Sequence, residues 1–387
     1  MKKAIFLLFF LMVGELIHPR FFCRAQENTS NEKLINFVNP FIGTGGHGHT
    51  YPGATMPFGM MQLSPDTRLD GWDGCSGYHY SDEYIYGFSH THLSGTGVSD
   101  YADVLLMPTD EINFNNGANA STGSAEHQSG YRAHFSHENE IASPGYYKVL
   151  LDDTNIEVEL TVSERSGIHR YTFPKGSKQI VILDLEHRDQ VLSAEIGATS
   201  KNEISGHRHS KAWAEKQMLF YNIQFSRPYK DVEYHSNTAG EKHKAAFVFD
   251  ASEGNILEVK VGISAVDEAG AKKNLQTEIG NKSFEQIKTK AEEVWEKQLK
   301  KIDVSTSLNN QENEKIVFYT ALYHTMVALN IYQDVDGRYR GMDLEVHQTD
   351  KFVNYTVFSL WDTYRAAHPL YTIIEQERTN EFIKSLL

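Results

Sequence analysis

Across residues 145–267 the apolar positions fall in short runs separated by polar turns: GYYKVLL, IEVELTV, GIHRYTF, KQIVILDL, QMLFYNIQF, AAFVFD and ILEVKVGI. These runs are rich in β-branched and aromatic residues, the composition of strands. In 156–162 the alternation is plain: Ile156, Val158, Leu160 and Val162 share one face, with Glu157, Glu159 and Thr161 on the other. Turn residues at 163–167 and 174–177 punctuate the runs. Strands recurring at such intervals, with no helix between them, predict an antiparallel β-sandwich. The polar, Asn-, Ser- and Gly-rich segment 115–130 reads as an exposed loop.

The period changes near Asn281. Ser283 with Gln286 makes a capping-box pattern, and Phe284, Ile287, Ala291, Val294, Trp295 and Ile302 fall on one helical face. A helix over 283–302 is therefore expected to connect two domains. A second, about 312–331, is apolar around most of its circumference (Ile316, Phe318, Tyr319, Leu322, Tyr323, Met326 and Val327) and should be buried among others. Segments 361–371 and 375–387 also read as helices, the last still in progress at KSLL.

Residues 38–100 fit neither pattern. They mix glycine, histidine, aromatic and acidic residues with no period of two or of 3.6. Gly43, Gly45, Gly46 and Gly48 lie within six residues, an entropic cost that makes sense where the backbone needs unusual angles or close approach. Tyr51, Trp72, Tyr78 and Tyr80 offer flat apolar faces, and Asp66, Asp70, Asp73 and His79 offer polar edges. Flat faces beside fixed hydrogen-bonding groups suit a polyhydroxylated ligand, so the stretch reads as a functional surface.

At 387 residues, two domains are the natural expectation, and 40% hydrophobic with 23% charged residues describes a globular chain. A formal charge of −14, with no basic cluster beyond the N-terminus, argues against nucleic acid or an anionic membrane as partner. Lys2 and Lys3 followed by the apolar run AIFLLFFLMVG read as a secretory signal over 1–25, cleaved after Ala25. That run is too short for a membrane span. A lipid anchor at Cys23 is disfavoured by Phe22 just before it. The mature chain then keeps only Cys75 and no internal disulfide, which suits a periplasmic or secreted bacterial protein held by core packing.

Four stretches, in order and at domain-scale spacing, carry a resemblance: VNPFIGTGGHGHTYPGATMPFGMMQLSPDT, GWDGCSGYHY, the run 87–100, and SLWDTYRAAHPL at 359–370. Together they resemble glycoside hydrolase family 92, calcium-dependent exo-alpha-mannosidases acting on terminal alpha-linked mannose of glycans, of alpha-1,2-type or related linkage. The resemblance implies an N-terminal β-sandwich joined by connector helices to an (α/α)6 barrel, of which this chain would hold only the start. The expected layout is a signal peptide at 1–25, a sandwich domain at 26–275, a helical linker at 276–310 and the opening of the barrel at 311–387. A barrel lacking most of its helices would expose apolar faces, so the chain is expected to be a fragment, a truncated reading frame or one half of a split enzyme completed by a C-terminal chain.

Glycosidases place two carboxyl groups about the scissile bond, roughly 6.5–9.5 Å apart when configuration inverts. The resemblance implies inversion, with the general acid and base in the later barrel, downstream of Leu387. No residue here matches them, and negligible turnover by the chain alone is expected. It also implies that Asp362 contacts the terminal mannose. From the residues, Asp362 could accept from two hydroxyls, with Arg365 one turn along to orient it and Trp361 beside it. A first-turn helix carboxylate is the plainer role for Asp362. Trp72 and Asp73, between Gly71 and Gly74, read either as a sugar-facing indole with a polar neighbour or as an aromatic plug between domains. Cys75 reads as a packing residue. The pairs His47/His49 and His90/His92, with His79, could chelate a metal from strands, but no HExxH or CxxC frame accompanies them. Calcium enters only through the resemblance, with its ligands mostly outside this chain, and DVDGR at 334–338 lacks EF-hand spacing. A non-catalytic carbohydrate-binding sandwich is the rival reading.

Overall fold

The structure is a computed structural model that describes residues 32–118, 130–236, 241–304 and 311–387. The expected signal segment and most of the expected 115–130 loop lie outside the described residues.

Apolar alternation produces two antiparallel sheets that share one core. One has seven strands, running edge to edge Ala54–Thr55, Gln62–Asp66, Gly87–Ser89, Leu105–Thr109, Gln179–Asp184, Lys244–Phe249 and Asp231–His235. The other has nine: Gln190–Ser200, Glu203–Lys211, Gln217–Phe225, Ile256–Ser264, Ser166–Thr172, Ile156–Val162, Tyr146–Leu151, Ala133–Ser143 and Tyr84–Ile85. Ile156, Val158, Leu160 and Val162 are buried, with Glu157 and Glu159 on the half-exposed face, as the alternation requires. The sandwich expected from the sequence is the one observed.

Two groups of strands lack a clear sequence signal. The hairpin Gln190–Ser200/Glu203–Lys211 is polar and largely exposed on its edge strand, so its apolar period is weak. The short strands within 38–100 are buried on both faces (all of Gln62–Asp66, for instance), which erases alternation altogether. Tyr51, Asp66, Tyr78 and His79 are accordingly buried rather than displayed. Much of the stretch read as a surface is core.

Among the described residues six helices follow: α1 (Glu268–Glu278), α2 (Phe284–Leu299), α3 (Gln311–Thr325), α4 (Leu360–Thr363), α5 (Ala367–Ile374) and α6 (Gln376–Leu386). α1 is polar along most of its length, so periodicity does not single it out, and it crosses the boundary expected at 275. α2 carries the capping box, and its buried face is Phe284, Ile287, Ala291, Trp295 and Leu299. Trp295 is fully buried, donating its Nε1–H to the Thr55 carbonyl at 2.8 Å, which binds helices to sandwich. α3 ends six residues before the expected 331. The Phe58 backbone accepts from Ile331 and donates to the Met326 carbonyl, drawing 326–331 out of the helix. The helix expected over 361–371 is broken at 364–366, because Pro369 cannot share a helix with the carbonyl four residues before it and sits instead in the first turn of α5. The helix expected over 375–387 is α6, which ends at Leu386 and leaves Leu387 as its exposed C-cap. Among the described residues no helix is long and apolar enough to cross a membrane.

Two buried polar groups tie the sheets together. Arg208, from the nine-stranded sheet, is fully buried. It reaches Asp103 Oδ1 at 2.5 Å, donates to the Leu185 carbonyl at 2.9 Å and also binds the Arg188 carbonyl. Asp103 accepts from Thr91 Oγ1 as well, at 2.9 Å. Nearby, His90 and His169 meet nitrogen to nitrogen at 2.9 Å. The Val104 carbonyl can only accept, so His90 Nδ1 carries a proton toward it; His90 Nε2 then accepts from His169, and His169 Nδ1 accepts from the Tyr171 hydroxyl. Burial pushes His90 down to about 4 and His169 well below its ordinary value.

Removing one partner of a buried ion pair strands the other. Arg208→Met or Asp103→Leu alone should each lower stability by about 3–5 kcal/mol, with the double variant losing less than the sum; urea midpoints measure this, and additive losses would show two separate contacts. The histidine pair sets a pH dependence. Folded, both rings stay neutral, while the unfolded chain protonates them below about 6.5. Their contribution is therefore complete above pH 6.5 and lost as pH falls toward about 4. Each ring should steepen the decline by up to about 1.4 kcal/mol per pH unit, and His90→Gln/His169→Gln should flatten the curve over that window.

Candidate functional site

The glycine-rich segment 43–50 folds back on itself. A Cβ at Gly48 would lie 1.8 Å from the Gly43 carbonyl oxygen, so only glycine permits the closure. The loop is then fastened to the next one: Gly95 N–H donates to the His49 carbonyl at 2.8 Å, and the Thr50 and Ser94 hydroxyls lie 2.9 Å apart.

Beside these loops, Trp72–Gly74 makes a single tight turn. Trp72 is 56% exposed and is held by two histidines, His49 edge-on at 4.3 Å between ring centres and His47 at 4.9 Å. Asp73 Oδ1 faces both, at 2.7 Å from His47 Nδ1 and 3.5 Å from His49 Nε2. The His47 hydrogen bond is the main reason its carboxyl sits below the usual range. Cys75 is buried, its thiol 2.7 Å from the Trp72 carbonyl and pushed up by burial, as suits a packing residue.

A cleft of about 530 Å³ opens between the two loops and the helices. Gly43, Gly48, Thr50, Ser94, Gly95 and Thr96 line one side; Thr320, His324 and Thr325 of α3, then Ser359, Asp362, Thr363 and Tyr371, line the other. Asp362 is exposed in the first turn of α4 and accepts a hydrogen bond from the Ser359 hydroxyl. Both roles weighed for it are thus compatible, since it serves the helix start and also borders the cleft.

The structure does not bring all the expected residues together. Arg365 turns away from Asp362: its Nε donates to the Tyr364 hydroxyl at 2.8 Å and its guanidinium lies 5.5 Å from that ring. The expected Arg365–Asp362 contact is therefore replaced by one with its immediate neighbour. Trp361 is 83% exposed and does not line the cleft. Trp72 and Asp73 lie next to the cleft-lining loop without lining the cleft themselves. Leu387, beyond which the general acid and base are expected, is fully exposed and is not among the cleft-lining residues. Asp362 is the one carboxylate among those that line the cleft, so the described residues present no acid–base pair there. Sequence reasoning missed Thr320 and His324. The available signal was a polar pair four residues apart on an otherwise apolar helix. His324 donates to the Ile42 carbonyl at 3.0 Å, and burial holds its ring below the ordinary value.

One histidine pair converges and the other does not. His47 and His49 share Asp73, His90 engages Val104 and His169, His92 binds the Gln62 carbonyl and Asp66, and His79 binds Ser81 and the Gly46 carbonyl. Among the described residues no three His, Cys, Asp or Glu side chains gather as metal ligands. Calcium takes oxygen rather than imidazole ligands, and no trio of carboxylates gathers among the described residues to hold it.

The arrangement offers an exposed indole with polar neighbours, and a cleft bordered by hydroxyls, an imidazole and a carboxylate. Comparisons with known proteins place it. The alpha-mannosidase BT3965 of Bacteroides thetaiotaomicron, of family GH92, is 35% identical with a TM-score of 0.82, over 92% of this chain and 49% of its own. The family GH92 glycosyl hydrolase ccman5 is 27% identical with a TM-score of 0.81, over 91% and 48%. An uncharacterized secreted glycosidase of Arthroderma benhamiae is 27% identical over 332 residues, 77% of this chain and 42% of its own length. The chain thus spans about half the length of these relatives. The model of the glycosyl hydrolase family 92 N-terminal domain matches residues 37–264 and that of the family's catalytic domain matches 270–387, so the chain belongs to glycosyl hydrolase family 92.

Proposed function

We propose that this chain carries one wall of the sugar-binding site of an exported glycosidase that releases terminal alpha-linked mannose from glycans with inversion. The observation that carries the reading is Asp362 facing the glycine-rich loops across the cleft, in a chain of this family. Asp362 is the acceptor for sugar hydroxyls, Trp72 covers a sugar face, and Asp73 steadies the histidines around it. Trp361 and Arg365 belong to the rim. A similar protein is described as an alpha-mannosidase at 35% identity, which supports mannose as the terminal sugar.

The division of labour follows the two regions. In this proposal the sandwich expected over 26–275 presents the loops, α1 straddles its boundary with the connector expected over 276–310, and 311–387 opens the helical catalytic domain. We assign no general acid or base to the described residues, and the carboxylates that act on the bond belong to a complementary segment beyond Leu387 or to a separate chain. Calcium is implied by the family resemblance alone, and among the described residues no ligand cluster gathers for it. The basic-then-apolar N-terminus makes 1–25 a signal peptide and the protein periplasmic or secreted, in keeping with a similar protein described as secreted.

Calorimetric titration of residues 26–387 with methyl alpha-mannoside, with and without calcium, tests the reading. Binding is expected, and Asp362→Ala should weaken it by about tenfold or more, the loss of one charge-assisted hydrogen bond. Unchanged affinity in that variant would remove Asp362 from the site. Measurable mannose release by this chain alone would overturn the assignment of acid and base elsewhere.

A further inference from the structure

A second exposed indole stands on a turn tied to the same segment as the first. Trp213, in the turn between strands Glu203–Lys211 and Gln217–Phe225, is 68% exposed. Among the described residues its ring makes no hydrogen bond and no aromatic contact. A tryptophan left in water forgoes roughly 1.5–3 kcal/mol of burial, yet its turn is firmly anchored. The Ala214 N–H donates to Asp100 Oδ2 at 2.6 Å, and Lys211 pairs with Glu215 at 2.6 Å. Asp100 is 2% exposed, and a buried carboxylate is costly unless its hydrogen bonds are made.

The same short segment also holds Trp72. A Cβ at Gly97 would lie 2.6 Å from Trp72 Nε1, so that indole edge rests on the 97 backbone. Arg188 donates to the Ser99 hydroxyl at 2.5 Å and to the Gly74 carbonyl at 2.6 Å, tying the Trp72 turn to the segment. Between Gly97 and Asp100 the chain spans at most about 10 Å. Asp189 faces the Arg208 and Arg188 charges and belongs to the network that anchors this turn. It precedes Gln190, which pairs with Lys211, two residues before Trp213. Its backbone is left-handed (φ 63°), and one carboxylate oxygen is buried without a hydrogen-bond partner among the described residues.

We propose that Trp213 is a second sugar platform, stacking a ring of the same neutral oligosaccharide outside the cleft, with the Ser99–Asp100 segment as the rigid spacer between the two indoles. The proposal rests on the glycan-binding reading above and extends it from a terminal sugar to a chain of several. Asp100 and Arg188 are positioning residues, because they act by holding the two aromatic turns.

Two probes separate the claims: methyl alpha-mannoside, a single ring that can sit at the cleft mouth beside Trp72 without also reaching Trp213, and an alpha-linked mannotetraose. The chain should bind the tetraose about tenfold more tightly than the monosaccharide. Trp213→Ala should abolish that advantage while leaving monosaccharide affinity and the thermal midpoint unchanged, and Trp213→Phe should keep part of it. Trp72→Ala should weaken both probes. If Trp213→Ala retains the tetraose advantage, or if the parent chain shows none while binding the monosaccharide, the second platform is wrong and the cleft reading stands. If neither probe binds, the cleft reading fails and takes the platform with it.

Discussion

The buried ion pair between Arg208 and Asp103 is the constraint on which the functional end of the molecule rests. Both side chains are fully out of water, so the pair has value only because every strong donor finds an acceptor: the carboxylate, the Leu185 carbonyl and the Arg188 carbonyl. Its position gives it reach. Arg208 comes from one sheet, Asp103 leads into a strand of the other, and Arg188 follows from the strand Gln179–Asp184 of that second sheet. Fixing the Arg188 backbone sets the root of a side chain whose guanidinium binds Ser99 and Gly74. A cross-sheet contact thereby sets the place of an exposed tryptophan.

The strands supply rigidity and the loops supply chemistry. Few cleft-lining residues of the sandwich side come from regular strands; they come from 42–50 and 94–96, closed by glycine contacts and by hydrogen bonds between the loops. Such loops have little core of their own, so their order depends on what they are tied to. The helical side works differently. Thr320 and His324 lie on α3, whose apolar faces are anchored through Trp295 and Tyr323, 4.5 Å apart between ring centres. The cleft is bordered by one wall of backbone closure and one of helix packing.

This difference explains what the sequence disclosed. Strands with one wet face, such as 156–162, show their period and were legible, as was α2 with its capping box. Gln62–Asp66 was not, because burial on both faces leaves no polar alternate. The 38–100 stretch was recognisable as unusual, but its aromatic and acidic residues divide by burial in a way composition cannot express: Trp72 is exposed while Tyr51 and Tyr78 are nearly sealed. Asp362 was legible as a candidate through its motif. The direction of Arg365 was not, since a helical spacing of three allows a contact without requiring it, and the neighbouring Tyr364 hydroxyl competes for the same donor.

On the proposed reading, the separation of binding from bond cleavage follows from the same geometry. A glycosidic bond needs a proton donor and an activated water on opposite sides of the sugar, so its carboxylates must stand on walls that enclose the ring. Here the loops and α3–α5 make a cleft whose exposed carboxylate, Asp362, is already engaged by Ser359 at a helix start. A carboxylate tethered that way keeps lone pairs free to accept from hydroxyls, and among the described residues that line this cleft no second carboxylate divides the acid and base work with it. Asp362 therefore suits recognition. The two tryptophans suit it too, because stacking holds a ring in place without touching its chemistry. In the proposed enzyme, the described residues fix where the terminal sugar sits, and groups brought against them do the rest.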